Sequence, residues 1–179
     1  MAKRYELCLS GFGGQGLILA GIILAEAIGI HEGKYVSQTQ SYGPEARGGK
    51  SKAEVVVSDE PIDYPKPTDI DLLLAMSQDA CDTYYIDLKA EGILVVDSTY
   101  VSEVPSNQAI SVPCTKIATD LGLKMVANIV SLGAISEVSD IVSYDSLKKA
   151  ILSRAPKGTE KLNLAALSEG AKAAKKAML

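Results

Sequence analysis

The amino-acid sequence predicts an α/β fold of three layers (α/β/α), in which helices cover both faces of a mostly parallel sheet. Residues 70–76 and 92–96 are almost continuously apolar, as strands buried on both faces are. Strand-like and helix-like segments alternate along the chain. A glycine-rich turn, residues 10–16, joins the first strand-like segment to the first helix-like one. Together these features predict a Rossmann-like order of elements in one domain over residues 1–179.

The first third of the chain predicts three strands and one helix. The alternating patterns predict strands over residues 5–10, 35–41 and 51–57, and the apolar run predicts a helix over residues 17–30. Because a short loop, residues 42–50, separates the second and third strands, we expect that pair to be antiparallel. Three prolines between residues 59 and 68 predict an irregular connection.

The rest of the chain predicts three strands and five helices. Ser77 is a residue type that caps helices, and Gly122 and the stretch 156–158 interrupt helical patterns. The predicted strands are 70–76, 92–96 and 108–112, and the predicted helices are 78–88, 115–121, 124–138, 144–154 and 160–178. Ligands or partners are expected at the carboxyl ends of such strands, where the glycine turn and residues 97–99 fall.

Composition narrows the classes of function. The chain has 179 residues, 47% hydrophobic and 22% charged, and a net charge of −4, which argues against nucleic-acid binding through bulk charge. No apolar run reaches the ~20 residues of a membrane span and no signal peptide is visible, so we expect a cytoplasmic protein. The three cysteines lie far apart and form no C-x-x-C pair, so we expect no disulfide framework, metal or cluster site in this chain.

The glycine turn has three interpretations. Gly11, Gly13 and Gly16 satisfy the dinucleotide fingerprint G-x-G-x-x-G, but residues 35–41 lack the acid that would hold a ribose hydroxyl. The glycines also fit a purely structural role, in which they let a helix pack closely on a strand. In the third interpretation the loop presents backbone amides to a partner or its cofactor. The candidate residues of this loop are Gly11, Gly13, Gly14, Gln15 and Gly16.

A second motif, residues 42–49, packs a proline, an acid, a base and two adjacent glycines into one loop. A planar guanidinium among free amides suits a carboxylate or a phosphate, or a neighbouring subunit. An Arg–Glu ion pair that braces the loop is the structural alternative. The candidate residues here are Ser41, Tyr42, Gly43, Pro44, Glu45 and Arg47. The chain holds one histidine, His31, and no nucleophile–base pair is evident, so we assign no catalytic residue.

These two motifs resemble those of a known family. Residues 11–16 and 38–49, with the apolar stretch 127–135, are similar to the gamma subunits of the 2-oxoacid:ferredoxin oxidoreductases. Within that family they most resemble the subunit of the 2-oxoglutarate enzyme. The pyruvate and branched-chain enzymes use similar subunits, and the indolepyruvate enzyme a related one.

The resemblance implies a part in a larger enzyme. That enzyme decarboxylates a 2-oxoacid on thiamine diphosphate with Mg²⁺, passes electrons through [4Fe-4S] clusters to ferredoxin, and transfers the acyl group to coenzyme A. The resemblance implies alpha and beta subunits as partners, allows a delta subunit, and places these cofactors outside the present chain. Both loops would face that assembly. The alternatives are a free-standing NAD-dependent dehydrogenase and a non-catalytic adaptor. A large apolar interface left bare would favour a homodimer of the isolated chain.

Overall fold

Six strands form one mixed sheet in the computed structural model, which describes residues 4–42, 49–105 and 108–179. The sheet order is β2-β3-β1-β4-β5-β6. The strands are β1 (Arg4–Phe12), β2 (Tyr35–Tyr42), β3 (Lys50–Ser58), β4 (Ile70–Ala75), β5 (Leu88–Asp97) and β6 (Ile110–Val112).

Helices lie on both faces of the sheet, which confirms the predicted three-layer fold. The helices are α1 (Leu17–Glu26), α2 (Gln78–Tyr84), α3 (Cys114–Asp120), α4 (Ala127–Val138), α5 (Tyr144–Arg154) and α6 (Glu160–Ala177). Residues of α1 and α3 to α6 share the larger core on one face. Residues of α2 share a smaller core on the other face. The two layers are therefore unequal. Among the described residues, no helix combines the length and apolar content that a membrane span requires.

One strand, β3, runs against the other five. It pairs antiparallel with β2, as predicted, and also with β1, whereas β1–β4, β4–β5 and β5–β6 are parallel. The sequence did not predict that β3 lies between β1 and β2. The carboxyl ends of five strands and the start of β3 therefore meet at one edge of the sheet, called here the carboxyl edge.

The central strands are buried on both faces, as their apolar runs predict. In β4, Leu72 and Leu74 point into the larger core, and Leu73 and Ala75 into the smaller one. β1 is similar, except that its second face carries polar residues at both ends. Glu6 and Ser10 are buried there, on either side of Cys8. Each of these two polar side chains has hydrogen-bond partners, so its burial is compensated.

Several predicted boundaries shift by a few residues. The predicted helix 17–30 consists of α1 and a π-helical turn, Ala27–His31. The predicted helix 78–88 ends in a 3₁₀ turn, Tyr85–Asp87, and 124–138 begins with one, Lys124–Val126. β5 starts at Leu88 rather than residue 92 because polar, exposed residues extend it beyond the buried segment, with a register irregularity against β4. The Ser77 cap is confirmed, since its hydroxyl accepts a hydrogen bond from Ala80 N–H.

A buried carboxylate ties the irregular connection to the opposite edge of the sheet. Glu6, 3% exposed, accepts hydrogen bonds from the backbone N–H groups of Thr68 (2.6 Å) and Asp69 (2.8 Å) and from the Arg4 side chain. Arg4 also donates to the backbone oxygens of residues 64 and 66. Burial alone would raise the pKa of Glu6. The hydrogen bonds from Arg4, Asp69 and Thr68 outweigh it, so the pKa lies below its ordinary value.

We expect Glu6→Gln to lower the free energy of unfolding by about 2–4 kcal/mol at neutral pH, because an amide cannot accept from all three donors. The pKa of Glu6 is lower in the folded protein than in the unfolded one. Its contribution is therefore complete above its ordinary pKa near 4.5 and is lost as the pH falls through the folded value. Urea titrations of both proteins between neutral and acidic pH measure this difference. A difference that stays constant down to the acid limit would contradict the assignment.

Candidate functional site

The glycine loop connects β1 to α1 at the carboxyl edge, and a hydrogen bond joins it to the second motif. Gly14 and Gly16 have φ values of 92° and 74°, a conformation that favours glycine. Gly13 N–H donates to the backbone oxygen of Gly49, at 2.7 Å. The structure therefore brings the start of the glycine loop against the end of the second motif.

Gln15 spans the ends of two strands. Its Oε1 accepts from Phe12 N–H at 2.6 Å, and its Nε2 donates to the Met76 carbonyl at 2.9 Å. The side chain thus bridges the carboxyl ends of β1 and β4. The chain leaves β1 toward α1 on one face of the sheet and leaves β4 toward α2 on the other face. Gly11 leaves room for it, because a Cβ there would lie 2.1 Å from Oε1. In this structure Gln15 positions the loop, a role that the sequence pattern did not indicate.

Asn128 holds the other end of the loop. Its Nδ2 donates to the Gly16 carbonyl at 3.1 Å. A Cβ on Gly16 would lie 2.7 Å from the same nitrogen, so glycine is needed here for space as well as for φ. Sequence reasoning missed this residue as part of the site. The available signal was its place in the apolar stretch 127–135, where a buried amide is unusual.

A shallow depression of about 190 Å³ lies between the two motifs. It is lined by Gly14, Gly16, Leu17, Ile18, Tyr42 and Ser51. α1 begins here with Gly16 as its N-cap, without a side-chain cap and without an acid in its first turn. The helix start therefore offers backbone N–H groups and partial positive charge to an oxygen of a ligand or partner.

The second motif lies only partly within the described residues. Ser41 and Tyr42 end β2 and are exposed, Tyr42 by 69%. Gly43, Pro44, Glu45 and Arg47 lie outside the described residues, so their predicted role stays a prediction. The described residues on either side of this stretch are Tyr42, which borders the depression, and Gly49, whose backbone oxygen accepts a hydrogen bond from Gly13 N–H.

Aromatic and cationic side chains flank the glycine loop, and the sequence did not single them out. The rings of Phe12 and Tyr100 meet edge to face with centroids 5.9 Å apart. Lys124 Nζ lies 5.3 Å from the centre of the Tyr100 ring, and its neighbour Met125 is 72% exposed. An exposed apolar and aromatic surface with a cation beside it suits contact with another protein or a ligand.

Asp97 at the end of β5 has a structural role. It is fully buried and accepts hydrogen bonds from Thr115 Oγ1 (2.6 Å), Thr115 N–H and Thr99 N–H. It thereby fastens the end of β5 to the start of α3. With those donors occupying its oxygens, Asp97 is a brace of the carboxyl edge.

The topology beside β1 differs from that of a dinucleotide-binding fold. In such folds the strand next to β1 runs parallel to it and ends in the ribose-binding acid. Here the neighbour is the antiparallel β3, which brings Lys50 and Ser51 to that position. The position of β3 therefore argues against NAD binding at the glycine loop.

The cysteines are poorly suited to hold an iron–sulfur cluster or a metal. Cys8, Cys81 and Cys114 are buried in three different elements. Burial raises the pKa of all three thiols, to about 12 for Cys8, and a metal ligand must be the thiolate. Within the described ranges, no group of three or more acidic, histidine or cysteine side chains is arranged to bind a metal ion.

A second cavity, of about 250 Å³, lies at the edge opposite the glycine loop. Its polar lining residues include Tyr5, Lys34, Asp59, Ser139 and Asp140. Burial, with Asp71 and Asp140 nearby, raises the pKa of Tyr5 to about 12, so its hydroxyl stays protonated at neutral pH. Of the predicted site residues that the structure describes, none lines this cavity.

Comparison with known proteins gives consistent matches over almost the whole chain. Residues 6–173 match the protein family described as pyruvate ferredoxin/flavodoxin oxidoreductase. The chain is 51% identical to the 2-oxoglutarate synthase subunit KorC of Methanocaldococcus jannaschii, over 96% of this chain and 95% of the relative.

Two further similarities concern structure and chain organisation. The crystal structure of a keto/oxoacid ferredoxin oxidoreductase gamma subunit from Geobacter sulfurreducens PCA superposes with a TM-score of 0.88 at 46% identity, covering 98% of both chains. The ketoisovalerate oxidoreductase subunit VorA of Methanothermobacter thermautotrophicus is 39% identical over 70% of this chain, but the match covers only 26% of VorA.

Proposed function

The chain belongs to the pyruvate ferredoxin/flavodoxin oxidoreductase family, and we propose that it is the gamma subunit of a 2-oxoglutarate:ferredoxin oxidoreductase. We infer the substrate, 2-oxoglutarate, from the KorC subunit, which is 51% identical over nearly the full length of both chains. The gamma-subunit role is supported by the Geobacter structure, which has the same fold and almost the same extent. In this proposal residues 1–179 act as one domain.

The proposed complex oxidatively decarboxylates 2-oxoglutarate and transfers the succinyl group to the thiol of coenzyme A, which gives succinyl-CoA, CO₂ and a proton. Two electrons leave the substrate and reduce two ferredoxins, one electron each. Thiamine diphosphate, Mg²⁺ and [4Fe-4S] clusters supply the chemistry from other subunits. The buried, protonated cysteines of the present chain support that division of labour.

In this proposal the carboxyl edge of the chain contacts the alpha, beta or delta subunits. No residue of the chain is proposed to be catalytic. The observation that carries this role is the hydrogen bond between Gly13 and Gly49, which joins both motifs into one surface. Gly14 and Gly16 shape that surface and Tyr42 borders it. The VorA match adds support, because there a similar segment is part of a much longer polypeptide. A separate chain would meet the equivalent of that remainder as a partner subunit.

Related oxoacids remain the alternatives for the substrate. Family members act on pyruvate and branched-chain or indolepyruvate substrates, and substrate contacts are expected mainly in the partner chains.

Isolation of the complex tests both the gamma-subunit role and the substrate. The chain is captured from its native source under mild conditions, its companions are identified by mass spectrometry, and the complex is assayed with each 2-oxoacid. We expect a thiamine-binding and a cluster-bearing subunit and a preference for 2-oxoglutarate. Recovery of the chain alone, with bound nicotinamide nucleotide, would overturn the proposal.

Arg47→Ala tests whether the second motif serves the active site. We expect the complex to assemble and its turnover to drop about tenfold or more, as loss of a charge-assisted contact predicts. Arg154→Ala is the matched control, because Arg154 pairs with Glu26 on α1 instead. Failure of Arg47→Ala to assemble would make Arg47 an interface residue. Normal assembly with normal turnover would show that both interpretations of Arg47 are wrong.

A further inference from the structure

The outer edge of β2 is unusually well suited to pair with another strand. β2 has eight residues, Tyr35–Tyr42, and pairs with β3 on one side. In the described part of the chain, no strand pairs with its other side. Proteins commonly protect such an edge with lysine, proline or a bulge, but β2 contains no charged residue and no proline, and its register with β3 is regular.

The sequence of β2 is nearly symmetrical about Thr39. Ser37 and Ser41 flank Thr39 on one face, and Gln38 and Gln40 flank it on the other. If two copies pair antiparallel with Thr39 opposite Thr39, Ser37 meets Ser41 and Gln38 meets Gln40. Within the chain the Ser37 hydroxyl donates to the Pro65 carbonyl (3.1 Å) and the Thr39 hydroxyl to Glu54 (3.0 Å), so these two oxygens can accept across the pair. Small polar side chains of the same kind would thus face each other, and no like charges meet. The same register places Val36 opposite Tyr42, an aromatic and β-branched pair.

An apolar surface lies beside this edge on the α1 face. α1 contains a single charged residue, Glu26, which pairs with Arg154. Its outward face leaves Leu19 45% exposed, and Ile30 in the following π-helical turn is 75% exposed. A groove of about 540 Å³ runs between these helical turns and β2. Its lining includes the apolar Ile22, Ile30 and Val36, and the charged residues Glu26, Lys34 and Arg154. A helix that is apolar on all sides is normally covered on all sides.

We propose that β2 pairs antiparallel with β2 of a second copy of this chain, with Thr39 at the twofold axis, so that the two six-stranded sheets become one. The two β3 strands would then lie three strand spacings apart, about 14 Å. Both copies of α1 lie on the same face of the joined sheet, and their outward side chains fill the groove between them. A twofold contact requires a self-complementary surface, which the near-symmetrical β2 provides.

The proposal concerns the chain itself and does not depend on which 2-oxoacid the complex uses. The second copy is favoured over an unrelated partner because the register matches serine with serine and glutamine with glutamine. The test therefore uses the full chain purified alone, at micromolar concentration, by sedimentation equilibrium. We expect a dimer. A monomer throughout the concentration range would overturn the proposal.

Cysteine cross-linking tests the register. Opposite residues in an antiparallel pair have Cβ atoms about 4.5–5.5 Å apart, close enough for a disulfide after a small adjustment. Thr39→Cys should therefore form a covalent dimer under mild oxidation. Ser37→Cys alone should not, because the two copies of residue 37 would be four residues apart, about 14 Å. The double variant Ser37→Cys/Ser41→Cys should cross-link again. The three native cysteines are buried and do not interfere.

A matched pair of isoleucine variants tests the apolar surface. Ile30→Lys places a charge in the groove, and Ile86→Lys places the same charge on an isoleucine that is 85% exposed in the 3₁₀ turn after α2. We expect Ile30→Lys to weaken dimerisation by about tenfold or more, equivalent to about 1.4 kcal/mol, and Ile86→Lys to leave it unchanged. Circular dichroism verifies the fold of each variant. Equal effects of the two variants, or cross-linking of Ser37→Cys as fast as Thr39→Cys, would overturn the proposed interface.

Discussion

Gly170→Ala is expected to lower the free energy of unfolding by about 3 kcal/mol or more, a large part of the 5–15 kcal/mol that a domain typically has. Gly170 in α6 faces α4 so closely that a Cβ would lie 1.9 Å from the backbone oxygen of Val130. The contact is reciprocal, since a Cβ on Gly133 in α4 would lie 2.1 Å from the Leu167 oxygen. Backbone atoms cannot turn away as side chains do, so the two helices would have to separate.

Gly29→Ala is the matched control for this prediction. Gly29 is also helical and has an ordinary φ, but the nearest atom to its added Cβ is a methyl carbon of Val36 at 3.6 Å. The substitution should therefore be neutral or stabilise by about 0.5–1 kcal/mol through the unfolded state. Urea titrations of the wild type and both variants give the comparison. Unfolding of Gly170→Ala within about 0.5 kcal/mol of the wild type would show that the helices yield easily, contrary to the packing argument.

The pattern of the sequence predicts the elements well because each has a local cause. The apolar runs of β4 and β5, the Ser77 cap and the break at residues 156–158 act within a few residues. The place of β3 between β1 and β2 has no local cause. Its alternating pattern predicts a half-buried strand, but the choice of neighbour depends on contacts with β1, from Phe12 opposite Lys50 to Arg4 opposite Ser58, that are 38 to 54 residues apart in sequence.

In the candidate site, too, some features have a local cause in the sequence and others depend on distant contacts. The glycines at residues 14 and 16 were predicted to form a turn, and positive φ values confirm it. The side chains that hold the turn come from elsewhere. Asn128 reaches Gly16 across 112 residues, and the Met76 carbonyl that binds Gln15 is 61 residues away. Such partners cannot be predicted from spacing alone, since the fold brings them together.

Gln15→Ala is expected to reduce the turnover of the assembled complex by about tenfold, while the fold persists. The variant leaves Phe12 N–H and the Met76 carbonyl without their side-chain partner, which costs about 1 kcal/mol for each hydrogen bond where water can enter. Gly14 and Gly16 then lose the bridge that fixes the loop between β1 and β4. Because Gln15 acts through the loop, it is a positioning residue.

The measurements for Gln15→Ala must separate loop position from general stability. Gln78→Ala is the matched control, since Gln78 makes a similar set of hydrogen bonds to the backbone of residues 102 and 103. Both variants should lose a similar, small amount of unfolding free energy. Only Gln15→Ala should change kcat or the affinity for the partner subunits, because Gln15 bonds to the glycine loop and Gln78 does not. If the two variants lose turnover equally, Gln15 stabilises the fold and does not position the loop. If neither loses turnover, the loop tolerates movement and the carboxyl edge meets its partners through the flanking residues Phe12, Tyr100 and Met125.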